Sequence, residues 1–278
     1  LIYAPGCSSC RVGGPSLDIT AKLAFTWDSD LRRILSVSYY TGAPQVWYDG
    51  TSTTMPQSAV GPESSRSALL YDPGVNAIFW WGGDSSSAIL YRYFRGASAP
   101  TTLATITNFN PQNGVPRFYV GDMKAVSSTL WVATGSNLNI LNSAGLTQVA
   151  NSDCLSETWT DSCGIRALTY DQGARRIVFS DGPKIKYIPR DGGTIVEILQ
   201  ELEDPILEAF VDFWYSFTFD PNTGLLYGIA SIAGSKQIYR LPRQPGGTRV
   251  GSNNIEYIGT TIGAWPRLGM DYNQQDTT

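Results

Sequence analysis

A short motif, apolar-x-apolar-Asp, recurs along the chain and constrains its fold more than any other feature. Intact copies are found at residues 25–28 (FTWD), 69–72 (LLYD), 168–171 (LTYD), 217–220 (FTFD) and 268–271 (LGMD). After four of these copies a second apolar run begins six residues beyond the aspartate, and a degraded copy (MKAV, residues 123–126) also has one. The second runs begin at residues 34, 78, 130, 177 and 226, so the unit recurs every 44 to 52 residues.

The repeating unit is most complete at residues 165–199, where it contains four apolar runs separated by Gly, Asp and Pro. Short runs rich in β-branched and aromatic residues, bounded by turn residues, are typical of strands joined by hairpins. One such sheet cannot bury both of its apolar faces by itself. Four-stranded repeats of about 40–50 residues are typical of a β-propeller, in which neighbouring sheets cover one another.

The two ends of the chain complement each other. Residues 268–271 carry the motif of a first strand with only seven residues after them, and the chain opens on the apolar run LIYA without a first strand before it. We therefore expect residues 264–278 to begin a last blade that residues 1–20 complete. The sequence predicts an all-β, six-bladed β-propeller of four-stranded antiparallel blades, forming one domain over residues 1–278.

The charge and hydropathy of the chain exclude two classes of function. The net charge is −4, charged residues are 16% of the chain, and lysines and arginines form no cluster. This argues against binding to DNA or RNA, which depends on concentrated positive charge. The sequence also lacks an apolar run of 18 residues, so no membrane span is expected.

Four cysteines favour an oxidising compartment. Cys154 and Cys163 are predicted to form a disulfide, whereas Cys7 and Cys10 either pair with each other or stay reduced. A zinc site would need both pairs to meet, and the long second spacing is unfavourable for that. Because the first residue is not Met, we expect a processed, secreted, extracellular protein. Residues 51–67, rich in Ser, Thr and Pro, form either an O-glycosylated or a bare exposed loop.

The chemical inventory is short, because the chain has no histidine. This excludes Ser-His-Asp and Cys-His triads, histidine metal sites and a histidine general base. We expect no catalytic residue and no metal ligand, and no cofactor is predicted.

Two groups of residues are candidates for a role beyond packing. Trp80 and Trp81 lie on opposite faces of one strand, so one is expected in the core and the other, with Asp84, is a candidate for stacking on a sugar or protein partner. The motif aspartates are expected to close turns through their carboxylates, and a ring of carboxylates around a channel metal is the alternative. They are Asp28, Asp72, Asp171, Asp220 and Asp271.

The segment 197–212 is acidic, with six carboxylates and no basic residue. Its spacing does not match an EF-hand, so a solvated surface is favoured over calcium binding. Apolar residues at 206, 207, 210 and 211 recur with helical spacing, which predicts a short helix within residues 200–214.

The complete repeat resembles the YWTD repeats of lipoprotein-receptor propellers and, more loosely, the NHL repeats. The resemblance rests on residues 167–171 (ALTYD), 177–181 (IVFSD) and 185–192 (IKYIPRDG). It implies a six-bladed fold, and propellers of this kind mostly bind proteins or glycans outside cells. Some six-bladed relatives are calcium-dependent lactonases or hydrolases.

The sequence thus predicts a non-enzymatic extracellular propeller. It would bind a protein or glycan partner, or copies of itself as a structural subunit of an assembly. The alternative is a calcium-dependent hydrolase or lactonase with a metal in the channel.

Overall fold

The computed structural model describes twelve segments of the chain, and every structural statement below concerns them. They are residues 22–31, 33–38, 44–48, 69–83, 87–107, 123–126, 129–134, 137–143, 145–153, 164–204, 207–243 and 255–260. Several predictions fall outside these segments: the closing blade formed by residues 1–20 and 264–278, the four cysteines Cys7, Cys10, Cys154 and Cys163, the loop 51–67, and the residues Asp84 and Asp271.

The described strands form five blades, which we number 1 to 5 in chain order, and one separate two-stranded hairpin. Blade 1 contains β1 (Lys22–Asp28), β2 (Arg33–Ser38) and β3 (Pro44–Tyr48). Blade 2 contains β4 (Leu69–Asp72), β5 (Ala77–Gly83), β6 (Ser87–Phe94) and β7 (Thr101–Thr107). Blade 3 contains β8 (Met123–Val126), β9 (Thr129–Ala133), β10 (Asn137–Asn142) and β11 (Gly145–Asn151).

Blade 4 contains β12 (Leu168–Asp171), β13 (Arg176–Asp181), β14 (Lys184–Pro189) and β15 (Val196–Leu199). A two-stranded hairpin follows, made of β16 (Glu203–Asp204) and β17 (Ala209–Phe210). Blade 5 contains β18 (Phe213–Asp220), β19 (Leu225–Ile232), β20 (Ser235–Leu241) and β21 (Glu256–Thr260).

Each blade is an antiparallel meander in which strands pair in chain order. The repeated motif forms the first strand, and its aspartate lies opposite the first residue of the second strand, as in the pair Asp171 and Arg176. The first strands of consecutive blades contact one another, from β1 through β4, β8 and β12 to β18. The sheets are therefore arranged side by side around the first strands, as in a β-propeller.

The core consists of four apolar layers, one between each pair of neighbouring blades. Leu35 of blade 1 packs with Trp80 of blade 2, and Trp81 of blade 2 packs with Val132 of blade 3. The layer between blades 3 and 4 contains Trp131, Ile177 and Phe179 among others, and that between blades 4 and 5 contains Val178, Trp214 and Phe217. Both faces of an inner blade are thus buried, which removes the exposed apolar face that a single sheet would have.

The all-β propeller predicted from the sequence is confirmed, but the described residues do not reach the predicted number of blades. Four sheets have the full four strands, and blade 1 has three strands in the described part of the chain. The first strands predicted at residues 25–28, 69–72, 168–171 and 217–220 all lie within observed first strands. The degraded copy at residues 123–126 is β8.

The helix predicted within residues 200–214 is wrong. The hairpin β16–β17 and the start of β18 occupy this segment in the described residues. The Asp204 carboxylate accepts the N–H of Leu207 (2.8 Å) and closes a turn where a helix would continue. The apolar spacing is misleading, because Leu207 and Phe210, two of the four apolar residues that suggested the helix, are 40% and 43% exposed.

Candidate functional site

The two faces of the ring differ in how the chain crosses them. In an antiparallel four-stranded meander, the fourth strand ends on the same side as the first strand begins. The links from β7 to β8, β11 to β12 and β15 to β18 therefore start and finish on one face, which we call the loop face. The opposite face carries the four-residue turns between first and second strands, such as residues 172–175, and we call it the turn face. Binding residues concentrate on long connections held by a rigid scaffold. One long connection, residues 242–255, lies on the turn face, but these links between blades all lie on the loop face, which we therefore take as the candidate site.

A charged network on the loop face joins blades 3 and 4. The Lys186 ammonium donates to Asp181 Oδ2 (2.7 Å) and to Asp153 Oδ2 (2.6 Å). Asp181 also accepts the Asp153 N–H (2.9 Å) and the Ser152 hydroxyl. Asp181 and Lys186 are buried, at 3% and 6% exposed, and the Asp153 side chain is 61% exposed. Asp181 ends β13 and Lys186 lies on β14. The hairpin β13–β14 of blade 4 therefore binds Ser152 and Asp153, which follow β11 of blade 3.

The electrostatics of this network keep its lysine charged. Burial by itself lowers the pKa of Lys186, but the hydrogen bonds to Asp153 and Asp181 outweigh it, and the net pKa is raised above 10.5. The hydrogen bond from Lys186 lowers the pKa of Asp153 below 3.8 despite partial burial. A neutral amine is the form that attacks a carbonyl, so Lys186 is poorly suited to be a nucleophile. The arrangement stabilises a contact between blades.

Cations and aromatic rings alternate beside this network at the start of blade 5. The Arg166 guanidinium lies 4.0 Å from the centre of the Phe213 ring. Phe213 contacts Tyr215 edge to face at 4.8 Å, and the Lys236 ammonium lies 5.0 Å from the Tyr215 ring centre. Phe213 is 7% exposed, whereas Tyr215 and Lys236 are half-buried at the surface. These contacts fix the aromatic rings at the beginning of the first strand of blade 5.

The hairpin β16–β17 is the most distinctive feature of the loop face. Its base is buried, since Leu202, Asp204 and Val211 are 0%, 0% and 3% exposed. The Asp204 carboxylate accepts the hydroxyl of Tyr239 on blade 5, and the Val211 N–H donates to Leu202 O (2.8 Å). Beyond this base, Leu207 and Phe210 are largely exposed. A buried carboxylate therefore anchors the base of the hairpin, and the two apolar side chains beyond it face solvent.

Burial and the bond to Asp204 raise the pKa of Tyr239 well above its usual range, so its hydroxyl stays protonated and continues to donate.

The motif aspartates that the structure describes lie on the turn face. There are four, and each accepts a backbone N–H of its own turn. The pairs are Asp28 with Leu31 (3.2 Å), Asp72 with Gly74 (2.8 Å), Asp171 with Ala174 (3.0 Å) and Asp220 with Asn222 (2.9 Å). Among the described residues, no three His, Cys, Asp or Glu side chains come together in a way that could hold a metal ion.

Two of these aspartates also bind an arginine of the next blade. These pairs were not predicted from the sequence. Arg95 follows the third strand of blade 2 and donates to Asp28 of blade 1 (2.6 Å). Arg243, two residues beyond the third strand of blade 5, forms an ion pair with Asp171 of blade 4 (3.3 Å). We call such a pair a clasp. The sequence did contain an indication of these pairs, because an arginine recurs just after third strands, at 95, 190 and 243. Sequence spacing alone, however, does not show which residue each arginine binds.

The clasp between blades 4 and 5 is closely packed. The Arg176 guanidinium of blade 4 donates to Asp171 Oδ2 (3.0 Å) and to the carbonyl of Arg243 (2.6 Å). The Arg243 guanidinium lies against Gly173, where an added Cβ would be 2.4 Å from its Nη2 atom. Asp171 is 1% exposed, so its charge is balanced by two arginines in a buried position.

One of Trp80 and Trp81 was expected in the core and the other on the surface, where it could stack on a partner, but both rings are buried. They are 1% and 0% exposed, and Trp80 stacks on Tyr91 with ring centres 5.3 Å apart. Alternation along β5 does place them on opposite faces, as expected. In a propeller, however, both faces of a blade are covered, so Trp80 packs towards blade 1 and Trp81 towards blade 3.

The described residues include no helix long and apolar enough to cross a membrane.

No protein-family model and no curated protein sequence matches the chain. Solved structures are similar to it. The putative TolB from Agrobacterium tumefaciens has a TM-score of 0.59 at 11% identity, covering 90% of this chain and 85% of that one. The PQQ-bound aldose sugar dehydrogenase from Streptomyces coelicolor has a TM-score of 0.56 at 12% identity, covering 91% and 85%.

A putative oxidoreductase (glucose dehydrogenase) from Thermus thermophilus has a TM-score of 0.53 at 14% identity, covering 87% of this chain and 85% of that one. At such low identities the likeness concerns the fold alone, because unrelated activities share propeller folds. The chain is thus a β-propeller whose neighbours in structure include both enzymes and a protein that is not named as one.

Proposed function

We propose that this protein is a non-enzymatic, extracellular propeller that acts by contact through its loop face. The observation that carries the proposal is the hairpin β16–β17, which presents Leu207 and Phe210 at 40% and 43% exposure from a fully buried base. Exposed apolar side chains whose backbone is already held in place by a buried base can serve as anchors of a binding surface, since less entropy is lost when they bind.

The charges on the loop face support a contact role. Lys186 is held protonated by two carboxylates, and Lys184 contacts Asp153 (3.4 Å) and Glu197 (3.2 Å). Groups that neutralise one another in this way strengthen the scaffold, whereas catalytic groups usually have a pKa shifted towards the working pH.

The ring would be closed as a six-bladed propeller by residues 264–278 and 1–20. The repeat spacing of 44 to 52 residues and the sixth copy of the motif at 268–271 support this closure. The four cysteines and the Ser/Thr/Pro-rich segment 51–67 support secretion into an oxidising compartment. The partner would be a protein, a glycan or another copy of the chain.

A paired comparison of variants tests the proposal. The purified wild-type protein, the double variant Leu207→Ser/Phe210→Ser and the control Ile258→Ser would be applied to a glycan array and measured by light scattering. Ile258 is 48% exposed on β21 and is not part of the hairpin, so it controls for loss of an exposed apolar side chain. We expect glycan binding or self-association in the wild type and in the control, and roughly a tenfold loss or more in the hairpin variant.

The opposite result is also well defined. Hydrolysis of ester or lactone substrates that requires calcium, together with thermal stabilisation by calcium, would overturn the contact function in favour of a channel-metal enzyme. Equal binding by the wild type and the hairpin variant would remove the hairpin from the proposed contact surface.

A further inference from the structure

The hairpin β16–β17 brings an acidic and an apolar side chain together on its exposed side. Glu203 of β16 lies directly opposite Phe210 of β17, and Asp204 lies opposite Ala209. Side chains of directly opposite residues lie on the same face of a pair of strands and contact each other. Asp204 is buried and Phe210 is 43% exposed, so Glu203 lies beside Phe210 on the face that points towards solvent.

The turn of the hairpin repeats this combination of acidic and apolar side chains. Leu207 is 40% exposed, and Glu208, the next residue, is also exposed. Two carboxylates and two apolar side chains therefore lie close together at the end of the hairpin that is away from its buried base. They belong to Glu203, Leu207, Glu208 and Phe210, which we call the hairpin surface.

The two glutamates of the hairpin surface differ from the other carboxylates of the loop face. Glu197 pairs with Lys184 (3.2 Å), and Asp153 pairs with Lys186 (2.6 Å). In the part of the chain that the structure describes, no ion pair involves Glu203 or Glu208, and residues 200–214 contain no lysine or arginine. The negative charge beside Leu207 and Phe210 is therefore not neutralised by neighbouring described residues.

This charge restricts the chemistry of a partner. A partner that covers Leu207 and Phe210 removes water from the neighbouring carboxylates, which costs free energy unless a cation or a hydrogen-bond donor replaces the water. An anionic partner is repelled. Leu207 is branched and has no flat ring on which a sugar could stack, so apolar side chains of a protein fit the hairpin surface better than a glycan does.

We propose that the hairpin surface binds a basic segment of a partner protein, in which apolar side chains alternate with lysine or arginine. The apolar side chains of that segment cover Leu207 and Phe210, and its cations pair with Glu203 and Glu208. This inference rests on the proposed contact function and specifies the chemistry of the partner.

Three synthetic peptides of equal length test this chemistry. The first alternates lysine with leucine or phenylalanine, the second has glutamate in place of each lysine, and the third has serine in place of each apolar residue. By fluorescence anisotropy with the purified full chain at low salt, we expect the first peptide to bind and the other two to bind roughly tenfold more weakly or worse. High salt should weaken binding of the first peptide, because exposed charge pairs are screened.

Substitution of the two glutamates tests their role separately from that of the apolar side chains. Glu203→Gln/Glu208→Gln removes both charges and keeps the size of the side chains. We expect this variant to bind the first peptide roughly three- to tenfold more weakly at low salt and to lose most of the salt dependence. Glu197→Gln is the matched control, because its carboxylate lies on the loop face and already pairs with Lys184. It should bind like the wild type.

A second variant and a folding control complete the experiment. Leu207→Ser/Phe210→Ser should bind the first peptide roughly tenfold more weakly or worse. Circular dichroism and thermal unfolding identify a variant that has lost its fold, and in that case Glu208→Gln and Phe210→Ser are measured alone.

Three results would overturn the basic partner. They are a wild type that does not bind the first peptide at millimolar concentration, equal binding of the lysine and glutamate peptides, and unchanged affinity in a folded Glu203→Gln/Glu208→Gln variant. A neutral glycan or a second copy that binds through Leu207 and Phe210, with the same affinity in that variant as in the wild type, would overturn the basic partner and leave the contact function intact. Calcium-dependent hydrolysis would instead remove the contact function.

Discussion

At the junction between blades 4 and 5, as at that between blades 2 and 3, the first strands of neighbouring blades contact each other. The side-chain contacts that stabilise the two junctions differ. Between blades 4 and 5, the clasp of Asp171 and Arg243 lies on the turn face, and the Trp214 indole donates to Pro183 O (2.9 Å) across the blades. Between blades 2 and 3, Trp81 packs with Met123 and Leu130 in an apolar layer. The first junction combines ionic, polar and apolar contacts.

The difference follows from two residue positions. Asp72 ends the first strand of blade 2 and holds its own turn through Gly74, but Ser143 follows the third strand of blade 3 where an arginine would be needed. Blade 3 also has Val126 in place of the motif aspartate, and Arg190 of blade 4 pairs with Asp191 instead. The network of Lys186 and Asp181 on the opposite face joins blades 3 and 4. A clasp needs an aspartate from one blade and an arginine from the next. Where either residue is missing, other contacts stabilise the junction.

The largest expected effect comes from removing the tryptophan of each junction. Trp214→Ala should lower the free energy of unfolding by about 4–6 kcal/mol, because a cavity forms and the Pro183 carbonyl loses its donor. Trp81→Ala should cost about 3–5 kcal/mol, since its indole N–H has no hydrogen-bond partner among the described residues. Chemical denaturation of both variants measures the difference. Equal costs would show that the Trp214 hydrogen bond adds nothing to its junction.

Removing the charge of a motif aspartate should destabilise the protein more at the junction of blades 4 and 5 than at the junction of blades 2 and 3. Asp171→Asn keeps an acceptor for the turn but leaves two arginines without a counter-charge, one of them buried, so we expect a loss of about 3 kcal/mol. Asp72→Asn, its counterpart in blade 2, should cost less than about 1 kcal/mol because no arginine of the described segments forms an ion pair with it. If the two substitutions have the same effect in urea denaturation, the clasp does not distinguish the junctions.

A matched pair of glycines tests the packing of the clasp. Gly173 and Gly74 both lie two residues after a motif aspartate. An added Cβ at Gly173 would be 2.4 Å from Arg243, whereas at Gly74 the nearest atom is Asp72 Oδ1 at 3.1 Å. Gly173→Ala should therefore displace the guanidinium and cost about 1–2 kcal/mol, measured by thermal unfolding. A Gly74→Ala variant that is as destabilised as Gly173→Ala would contradict this explanation.

The smallest effect is expected at the junction of blades 3 and 4. Asp153→Asn should cost less than about 1 kcal/mol near neutral pH, because Asp153 is largely exposed and its ion pair is screened. The folded-state pKa of Asp153 lies below 3.8, so its contribution is present above the unfolded pKa and is lost as pH falls through the folded value. The difference between wild type and variant should therefore vanish in acid. A difference that grows in acid would contradict this assignment.

Much of the fold could be predicted because strand periodicity and turn residues are local properties. The motif copies at 69–72 and 168–171 coincide with whole strands, and the degraded copy became β8. The hairpin at 203–210 was missed because its apolar spacing imitates a helix, while the decisive contact, Asp204 with Tyr239, joins residues 35 positions apart. The burial of both Trp80 and Trp81 was not foreseen, because alternation states which side a residue faces and not what covers that side.

The sequence by itself determined that this chain forms repeated antiparallel sheets and that Asp28, Asp72, Asp171 and Asp220 end first strands, since both depend on neighbours within a few residues. Only the tertiary structure decided which aspartates bind an arginine, which aromatic rings are buried and which apolar side chains stay in solvent. Those outcomes depend on contacts between blades, where residues far apart in the chain meet. Where one partner of a clasp is replaced, as the aspartate is by Val126 and the arginine by Ser143, the clasp does not form.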